Sequence, residues 1–161
     1  MRGSFRTASA ADTRAAGCRL AALLEAGDVV TLAGDLGAGK TAFVQGVAAG
    51  LGVPGPVVSP TFNILVVHPG RVTLQHFDLY RLEHPDQLED VDFFGTLEAG
   101  GASLIEWGDR FPEALPADRL ALDITILAPE DRRFDVEGLG DRGSSLALAW
   151  LDAVPGAEAV S

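Results

Sequence analysis

The sequence predicts an α/β fold in which a buried strand runs into a glycine-rich loop and then into a helix. Residues 28–33 form a short run rich in β-branched side chains, which is typical of a buried strand. Residues 34–41 read GDLGAGKT and match G-x-x-x-x-G-K-T, the pattern of a phosphate-binding P-loop. Apolar side chains then return at helical spacing over residues 40–51. Strand, loop and helix follow one another in the order that a P-loop NTPase fold requires.

The remaining segments predict helices and hairpins around this unit. Residues 12–26 show helical periodicity, with Asp12 or Thr13 as the N-cap and Gly27 as the end. Pairs of alternating segments separated by turn residues indicate two hairpins. The expected elements are strands at 63–67 and 72–77, a short helix near 85–90, a buried strand at 102–107, strands at 120–127 and 134–138, and a closing helix at about 144–154. We expect one domain over residues 1–161, with a frayed tail at 155–161.

Composition argues against several classes of protein. The formal charge of −11 is unfavourable for binding DNA or RNA by counterion release. No segment approaches the run of about 20 apolar residues that spans a bilayer, and the N-terminal residues lack the apolar core of a signal peptide. The single cysteine, Cys18, cannot form an internal disulfide, which favours a reducing cytoplasm. Its small neighbours predict that Cys18 is a buried apolar residue.

Lys40 is the only lysine, whereas the other eleven basic residues are arginines. Lysine carries a compact point charge on a flexible stem, and arginine carries a planar fork. A P-loop lysine passes between loop backbone and phosphate oxygens, where a guanidinium would not fit. The retention of lysine at this one position therefore supports the P-loop independently of the pattern.

The loop predicts a site for ATP or ADP with Mg²⁺. Its glycines let backbone N–H groups converge on phosphate oxygens, and the following helix adds its N-terminal dipole. Lys40 is expected to bridge the β- and γ-phosphates, and the Thr41 hydroxyl to bind Mg²⁺. The alternative is a glycine-rich turn that only caps a helix. The expected nucleotide-binding residues are Gly34, Asp35, Leu36, Gly37, Ala38, Gly39, Lys40 and Thr41.

Two acids stand at the ends of apolar strands, where hydrolysis would need them. Glu106 follows Ala-Ser-Leu-Ile in a segment that resembles a Walker B strand, and Asp78 ends the strand at 72–77. Ligands of open α/β sheets bind at the carboxyl ends of strands. Strand-end carboxylates are also common as helix caps and turn formers. Since a P-loop enzyme needs an acid for Mg²⁺ or for the attacking water, both remain candidates.

Other polar residues have weaker functional signals. Ser59 and Thr61 flank a proline where a switch-like loop would approach the γ-phosphate, although an ordinary turn is equally consistent. His76 lies two residues before Asp78, on the same face of its strand. Zinc is not expected, because there is no Cys partner and no HxxxH spacing. Arg132 or Arg133 could reach phosphate or adenine, although solvated turn charges are commoner. The acid-rich stretch 83–92 is interpreted as a solvated face.

Four segments, in this order and spacing, resemble the TsaE (YjeE) family: GDLGAGKT, SPTFNI, HFDLYRL followed by P-x-x-L-E, and LIEWGDR with a downstream LP. That family is the small ATPase of bacterial tRNA threonylcarbamoyladenosine biosynthesis. The resemblance covers roughly residues 7–135, and no family pattern is visible beyond about residue 137. It implies a central parallel sheet flanked by antiparallel strands and helices.

The resemblance also implies slow, Mg²⁺-dependent ATP hydrolysis that depends on the partners TsaB and TsaD. TsaD transfers the threonylcarbamoyl group to adenosine 37 of ANN-decoding tRNAs, so this chain would meet tRNA only through the complex. Carried onto matching positions, residues 36–41 bind nucleotide, Thr41 and Glu106 bind Mg²⁺, and Asp78 is a catalytic acid near the γ-phosphate. Arg132, or alternatively Arg133, contacts the nucleotide, and the backbone near Ala10 contacts adenine.

Three other functions compete with a partner-dependent ATPase. A small-molecule P-loop kinase needs a lid with several arginines, but only Arg71 and Arg81 lie between Thr61 and Glu106. A GTPase would read guanine with N-K-x-D, which needs a second lysine that this chain lacks. A nucleotide-sensing module without hydrolysis remains open.

Overall fold

A computed structural model describes residues 1–35, 37–57 and 64–160. The eight strands of the described chain form one sheet in the order β3-β4-β5-β2-β6-β7-β1-β8. They are β1 Arg2–Thr7, β2 Val29–Gly34, β3 Leu65–His68, β4 Leu74–Asp78, β5 Ala102–Glu106, β6 Arg119–Ile126, β7 Arg132–Leu139 and β8 Glu158–Val160. The helices are α1 Ala10–Ala21, α2 Lys40–Gly50, α3 Gln87–Asp90, α4 Phe93–Leu97 and α5 Gly140–Ala153, with short 3-10 helices at Gly108–Arg110 and Pro112–Ala114.

The centre of the sheet is parallel and both sides are antiparallel. Strands β4, β5, β2 and β6 run in one direction, while β3 pairs antiparallel with β4, and β7, β1 and β8 continue antiparallel beyond β6. All five residues of β4 and all five of β5 are buried, as expected for strands covered on both faces. The predicted α/β fold with a central parallel sheet and antiparallel flanks is confirmed.

Two apolar cores hold helices against the two faces of this sheet. On one face α1, α2 and α5 pack over β2, β6 and β7, with Phe43, Phe134 and Trp150 at the centre. On the other face Phe77, Phe93 and neighbouring side chains cover the parallel half. Full burial of each such aromatic side chain stabilises the fold by about 1.5–3 kcal/mol. The Trp150 indole N–H also donates to the Ala16 carbonyl at 2.9 Å, so α5 is tied to α1.

Helix α2 is fixed by a close crossing with α1. A Cβ atom built at Gly46 would collide with the backbone oxygen of Arg14. The two helix backbones therefore approach more closely than any side chain at this position would allow. Because α2 begins at Lys40, this contact sets the position of the glycine-rich loop relative to the sheet.

Several local predictions were wrong. Helix α1 begins at Ala10, because Ser9 accepts a hydrogen bond from the Asp12 amide and is the N-cap, and it ends at Ala21. Cys18 is exposed, since the buried side of α1 is formed by its neighbours Ala16, Gly17, Leu20 and Ala21.

None of the helices in the described part of the chain is long and apolar enough to cross a bilayer.

The chain ends also differ from expectation. Strand β1 was not predicted, because its sequence is mostly polar and contains one large apolar residue, Phe5. Phe5 stacks on Phe134, with 4.6 Å between the ring centroids. The tail predicted to be frayed contains β8, which pairs with β1 although all its side chains are exposed. Helix α5 starts at Gly140, four residues early, because the Asp118 carboxylate accepts hydrogen bonds from the amides of Arg142 and Gly143.

A partly buried ion pair connects α5 to the turn before β2, and its removal should lower stability. The Arg142 guanidinium donates to both oxygens of Asp28 at 2.8 Å, and the Asp28 side chain is 5% exposed. We expect Asp28→Asn to lower the free energy of unfolding by about 2 kcal/mol, less than for a fully buried pair because Arg142 is partly exposed. Thermal denaturation should show a melting temperature about 4–8 °C lower.

The matched control is Glu137→Gln, which breaks the pair between Arg2 and Glu137. That pair joins side chains that are 74% and 40% exposed. Exposed pairs contribute little, so the melting temperature of this variant should stay within experimental error of the wild type. Equal destabilisation by the two variants would contradict the structural role given to Asp28.

Candidate functional site

The glycine-rich loop, residues 34–39, joins the carboxyl end of β2 to the start of α2. Gly34, Gly37 and Gly39 have positive φ angles of 144°, 83° and 101°, a backbone region that residues with a Cβ atom rarely adopt. Gly39 is the N-cap of α2 and supplies no side-chain hydrogen bond. The first backbone N–H groups of α2 are therefore available to an anion, as the sequence pattern requires. Leu36 lies outside the described residues.

The Lys40 ammonium is enclosed at the mouth of this loop. The residue is only 6% exposed, and its Nζ donates to the Gly34 carbonyl at 2.7 Å. The Nζ atom also lies 3.8 Å from the centroid of the Trp107 ring, a favourable contact between a cation and an aromatic face. Burial lowers the pKa of Lys40 below its usual 10.5, and four carboxylates (Glu106, Asp78, Asp109 and Asp35) oppose this effect. The site thus holds a partly desolvated cation surrounded by acids.

The two acids singled out in the sequence lie side by side at the end of adjacent parallel strands. Asp78 and Glu106 are register partners in β4 and β5, and they are 8% and 3% exposed. Asp78 Oδ1 accepts a hydrogen bond from the Tyr80 amide at 3.1 Å. Glu106 Oε2 is 2.6 Å from His76 Nε2. The structure therefore places Lys40, Asp78 and Glu106 in one site at the carboxyl edge of the parallel sheet.

The oxygen atoms at this edge suit Mg²⁺ better than a transition metal. Thr41, the second residue of α2, offers a hydroxyl, and Asp78 and Glu106 offer carboxylates. No group of three or more His, Cys, Asp or Glu in the described part of the chain could form a metal cage. Mg²⁺ is usually held by one or two carboxylates together with water and substrate phosphates, so this sparse set of hard oxygen donors fits it.

The two arginines of the β6–β7 turn have different positions. Arg132 Nε donates to the Ala38 carbonyl at 2.9 Å and its Nη2 to the Gly37 carbonyl at 3.3 Å, while Nη1 donates to carbonyls within the turn. Arg133 is about half exposed and pairs with Asp135. Arg132 is therefore the arginine next to the glycine-rich loop, and two of its guanidinium nitrogens donate hydrogen bonds to loop carbonyls.

An aromatic wall closes the site on the side of β5. Trp107 has a left-handed backbone with φ of 62°, which turns its ring towards Lys40. The Tyr80 ring lies 5.1 Å from it, and the Arg110 guanidinium lies 5.2 Å from the Tyr80 centroid and 5.9 Å from that of Trp107. Tyr80 belongs to the motif HFDLYRL, and Trp107 and Arg110 belong to LIEWGDR, but the sequence pattern alone gives none of the three a role.

A small cavity of about 190 Å³ lies on the outer side of the loop. It is bounded by the start of α1, the start of α2 and the β6–β7 turn, with Ala10, Gly39 and Arg132 among its lining residues. A larger cavity of about 540 Å³ lies on the other face of β2, β6 and β7, and no residue of the glycine-rich loop lines it. Of the four carboxylates near Lys40 only Asp109 lines this larger cavity, whereas Gly39 and Arg132 line the smaller one, so we assign the candidate site to the smaller cavity and the loop. The predicted switch-like residues Ser59 and Thr61 lie outside the described residues.

Comparison with known proteins agrees with the family resemblance. The family model described as Threonylcarbamoyl adenosine biosynthesis protein TsaE matches residues 7–134. A TsaE protein of Streptomyces coelicolor is 46% identical over 146 residues, covering 86% of this chain and 98% of that protein. A TsaE protein of Treponema pallidum is 41% identical over 128 residues, covering 80% of this chain and 95% of that protein.

A solved structure also shares the fold. The crystal structure of Bacillus subtilis YdiB superposes with a TM-score of 0.80 at 32% identity, covering 95% of this chain and 96% of that one. The match therefore extends through nearly the whole chain, including elements beyond the family motifs. This chain belongs to the TsaE family and has that family's role in tRNA threonylcarbamoyladenosine biosynthesis.

Proposed function

We propose that this protein is a Mg²⁺-dependent ATPase that acts with TsaB and TsaD in the threonylcarbamoylation of adenosine 37 in ANN-decoding tRNAs. The observation that carries the proposal is the enclosed Lys40 ammonium, held between the Gly34 carbonyl and Trp107 beside Asp78 and Glu106. A buried cation at a helix N-terminus, with acids opposite it, is what transfer of a phosphoryl group to water requires.

Each part of the site has a separate task in this proposal. The loop amides and the N-terminus of α2 bind the phosphates, and Lys40 leaves the Gly34 carbonyl to bridge the β- and γ-phosphates. Thr41 and Glu106 would hold Mg²⁺, which would supply positive charge against the phosphate oxygens. Asp78, fixed by the Tyr80 amide, is the acid on the γ-phosphate side that orients the attacking water. The Trp107–Tyr80 wall excludes bulk water from Lys40.

The cavity beside the loop is the proposed place for adenine. It lies where the phosphates would leave the loop, and the α1 backbone near Ala10 offers polar groups for the base edge. Arg132 supports this region by donating to the Gly37 and Ala38 carbonyls, which fixes the backbone conformation of the loop next to the phosphate site. Its proposed role towards the nucleotide is therefore largely indirect.

Replacement of Arg132 by methionine should weaken nucleotide binding. The variant keeps the apolar stem but removes every donor to the loop, so we expect the affinity for ADP to fall about 10-fold, the cost of one charge-assisted hydrogen bond. Titration calorimetry gives the affinity directly. Arg133→Met is the matched control, because Arg133 contacts Asp135 and not the loop. Similar losses in both variants would contradict the support role of Arg132.

A kinase remains a poor alternative. Of the two arginines available for a lid, Arg71 donates to the Ala21 and Leu24 carbonyls at 2.6 and 3.0 Å, so it is occupied in joining the β3–β4 turn to the end of α1 and the residues after it. A kinase with water excluded by an arginine-rich lid would need donors that can move to the transferred phosphate. The alternative of a nucleotide sensor without hydrolysis predicts binding with no turnover, which the next experiment separates.

The test is an ATPase assay on the purified chain with and without TsaB and TsaD. We expect slow release of phosphate by the chain alone and at least a 10-fold increase when both partners are present. Omission of Mg²⁺, or use of Lys40→Met, should reduce the signal to background. Stimulation without tRNA would support contact with tRNA only through the complex, as the charge of −11 favours. Binding without turnover, with partners present, would support the sensor instead.

A further inference from the structure

His76 is the one buried histidine that the proposed reaction does not use, and it contacts a residue that the reaction needs. Its side chain is 1% exposed, and its Nε2 lies 2.6 Å from Oε2 of Glu106, whose side chain is 4% exposed. His76 is paired with Leu104, two residues before Glu106 in β5, so both side chains project from the same face of adjacent strands. The contact is therefore fixed by strand register rather than by flexible loops.

The surroundings of the ring select one arrangement of its protons. His76 Nδ1 is buried and has no hydrogen-bond partner among the described residues. An Nδ1–H in this place would be a buried donor without an acceptor, whereas a bare Nδ1 leaves only a weaker unpaired acceptor. Because Glu106 is a carboxylate, it requires a donor at 2.6 Å. These contacts favour a proton on Nε2, donated to Glu106 Oε2.

We propose that His76 is a positioning residue that fixes the Glu106 carboxylate for Mg²⁺. By engaging Oε2 it leaves Oε1 as the oxygen that would be available to the metal, and it restricts rotation of the carboxylate between two equivalent orientations. Hydrogen-bond partners of metal-binding carboxylates commonly change metal affinity or activity 10- to 100-fold when removed. This inference rests on the proposed role of Glu106 in holding Mg²⁺ and deepens it.

Two substitutions separate positioning from packing. His76→Leu fills a similar volume but has no donor, and His76→Gln places an amide N–H where Nε2–H was. We expect His76→Leu to raise the Mg²⁺ concentration for half-maximal turnover about 10-fold, and His76→Gln to restore it to within about 3-fold of wild type. The affinity for ADP measured in EDTA should stay within about 2-fold for both. His68→Leu, a nearby histidine that does not contact Glu106, is the matched control and should behave as wild type.

Nuclear magnetic resonance on protein labelled with ¹⁵N-histidine tests the contact without any activity. We expect one histidine whose Nε2 carries a proton, with the Nε2–H signal shifted in Glu106→Gln. A His76 protonated on Nδ1 alone would overturn the proposal, and so would wild-type Mg²⁺ dependence in a folded His76→Leu. If His76→Leu does not fold, the tautomer and His76→Gln decide the outcome.

The same measurements distinguish failure of this inference from failure of the proposed ATPase. If the wild-type chain never hydrolyses ATP, the ATPase proposal fails. The tautomer and the Mg²⁺ dependence of ADP affinity still report on His76 in that case. If ATP is hydrolysed but His76→Leu leaves the Mg²⁺ dependence of turnover and of ADP affinity unchanged, the positioning role alone is wrong.

Discussion

Replacement of Lys40 by alanine is expected to weaken binding of Mg·ATP by about 100-fold. The ammonium is the one cation that the structure places inside the loop mouth, within the described residues, and a charge-assisted contact to phosphate contributes about 1.5–3 kcal/mol. Loss of the side chain also leaves the Trp107 face without its cation. Calorimetric titration with Mg·ATP, at a pH near 7, measures the change.

Two further variants at position 40 isolate the charge. Lys40→Met keeps the unbranched stem against Trp107 and removes only the ammonium, so it should lose as much affinity as Lys40→Ala. Lys40→Arg keeps the charge as a planar fork that does not fit between the Gly34 carbonyl and the ring, and it should also bind poorly. Unchanged affinity in Lys40→Met would rule out the phosphate-binding role of the loop.

The pH dependence of binding has a definite sign. Burial lowers the pKa of Lys40 in the nucleotide-free protein, and only the protonated amine attracts phosphate. Affinity for ATP should therefore be constant at neutral pH and fall as the pH rises through this lowered pKa, below the usual 10.5 of lysine. Glu106 is the strongest of the carboxylates that raise the Lys40 pKa, so Glu106→Gln should move the fall to lower pH.

Replacement of Glu106 by glutamine is expected to reduce Mg²⁺-dependent turnover by about 100-fold and to change the affinity for ADP in EDTA by less than about 3-fold. The amide keeps the shape and can still accept a hydrogen bond from His76, but it lacks the charge that holds Mg²⁺. Single-turnover kinetics over a range of Mg²⁺ concentrations measures the first quantity. Loss of turnover and of metal-free nucleotide binding to the same extent would count against a metal-holding role.

Asp78→Asn is the matched variant on the neighbouring strand. Because Asp78 is proposed to act on the water side of the γ-phosphate, its loss should lower kcat by a similar factor without raising the Mg²⁺ requirement. The two variants would then differ in Mg²⁺ dependence alone. If Asp78→Asn raised the Mg²⁺ requirement and Glu106→Gln did not, the two acids would have the opposite assignment.

The local sequence pattern was sufficient to predict the centre of the fold and the candidate site residues at the carboxyl edge of the parallel sheet. The strand, the glycine-rich loop and α2 are specified by neighbouring residues, and Asp78 and Glu106 each follow a visible apolar run. The signal is strong there because buried parallel strands are apolar on both faces. The order of the strands could not be derived from periodicity, since it depends on pairing between segments far apart in the chain.

The features that the sequence did not predict depend on contacts between segments that are far apart in the chain. Strand β8 has no buried side chain and exists through backbone pairing with β1. Arg132 and Arg133 are identical in type and adjacent, and only the register of β7 with β6 decides which one reaches the loop. The partner of His76 likewise depends on the register between β4 and β5. Cys18 was misplaced because a small residue in α1 carries almost no information about which side it faces.

The pairing of β1 with β8 brings the two ends of the folded chain together at the end of the sheet away from the glycine-rich loop. Arg2 is the register partner of Val160, whereas Thr7 and Arg132, at the opposite end of this ribbon, lie towards the loop. A tag, a fluorophore or a surface tether joined at either end would therefore leave the loop accessible. A short linker between these ends would also permit circular permutation, with new ends opened elsewhere in the sheet, as a way to label positions near Lys40.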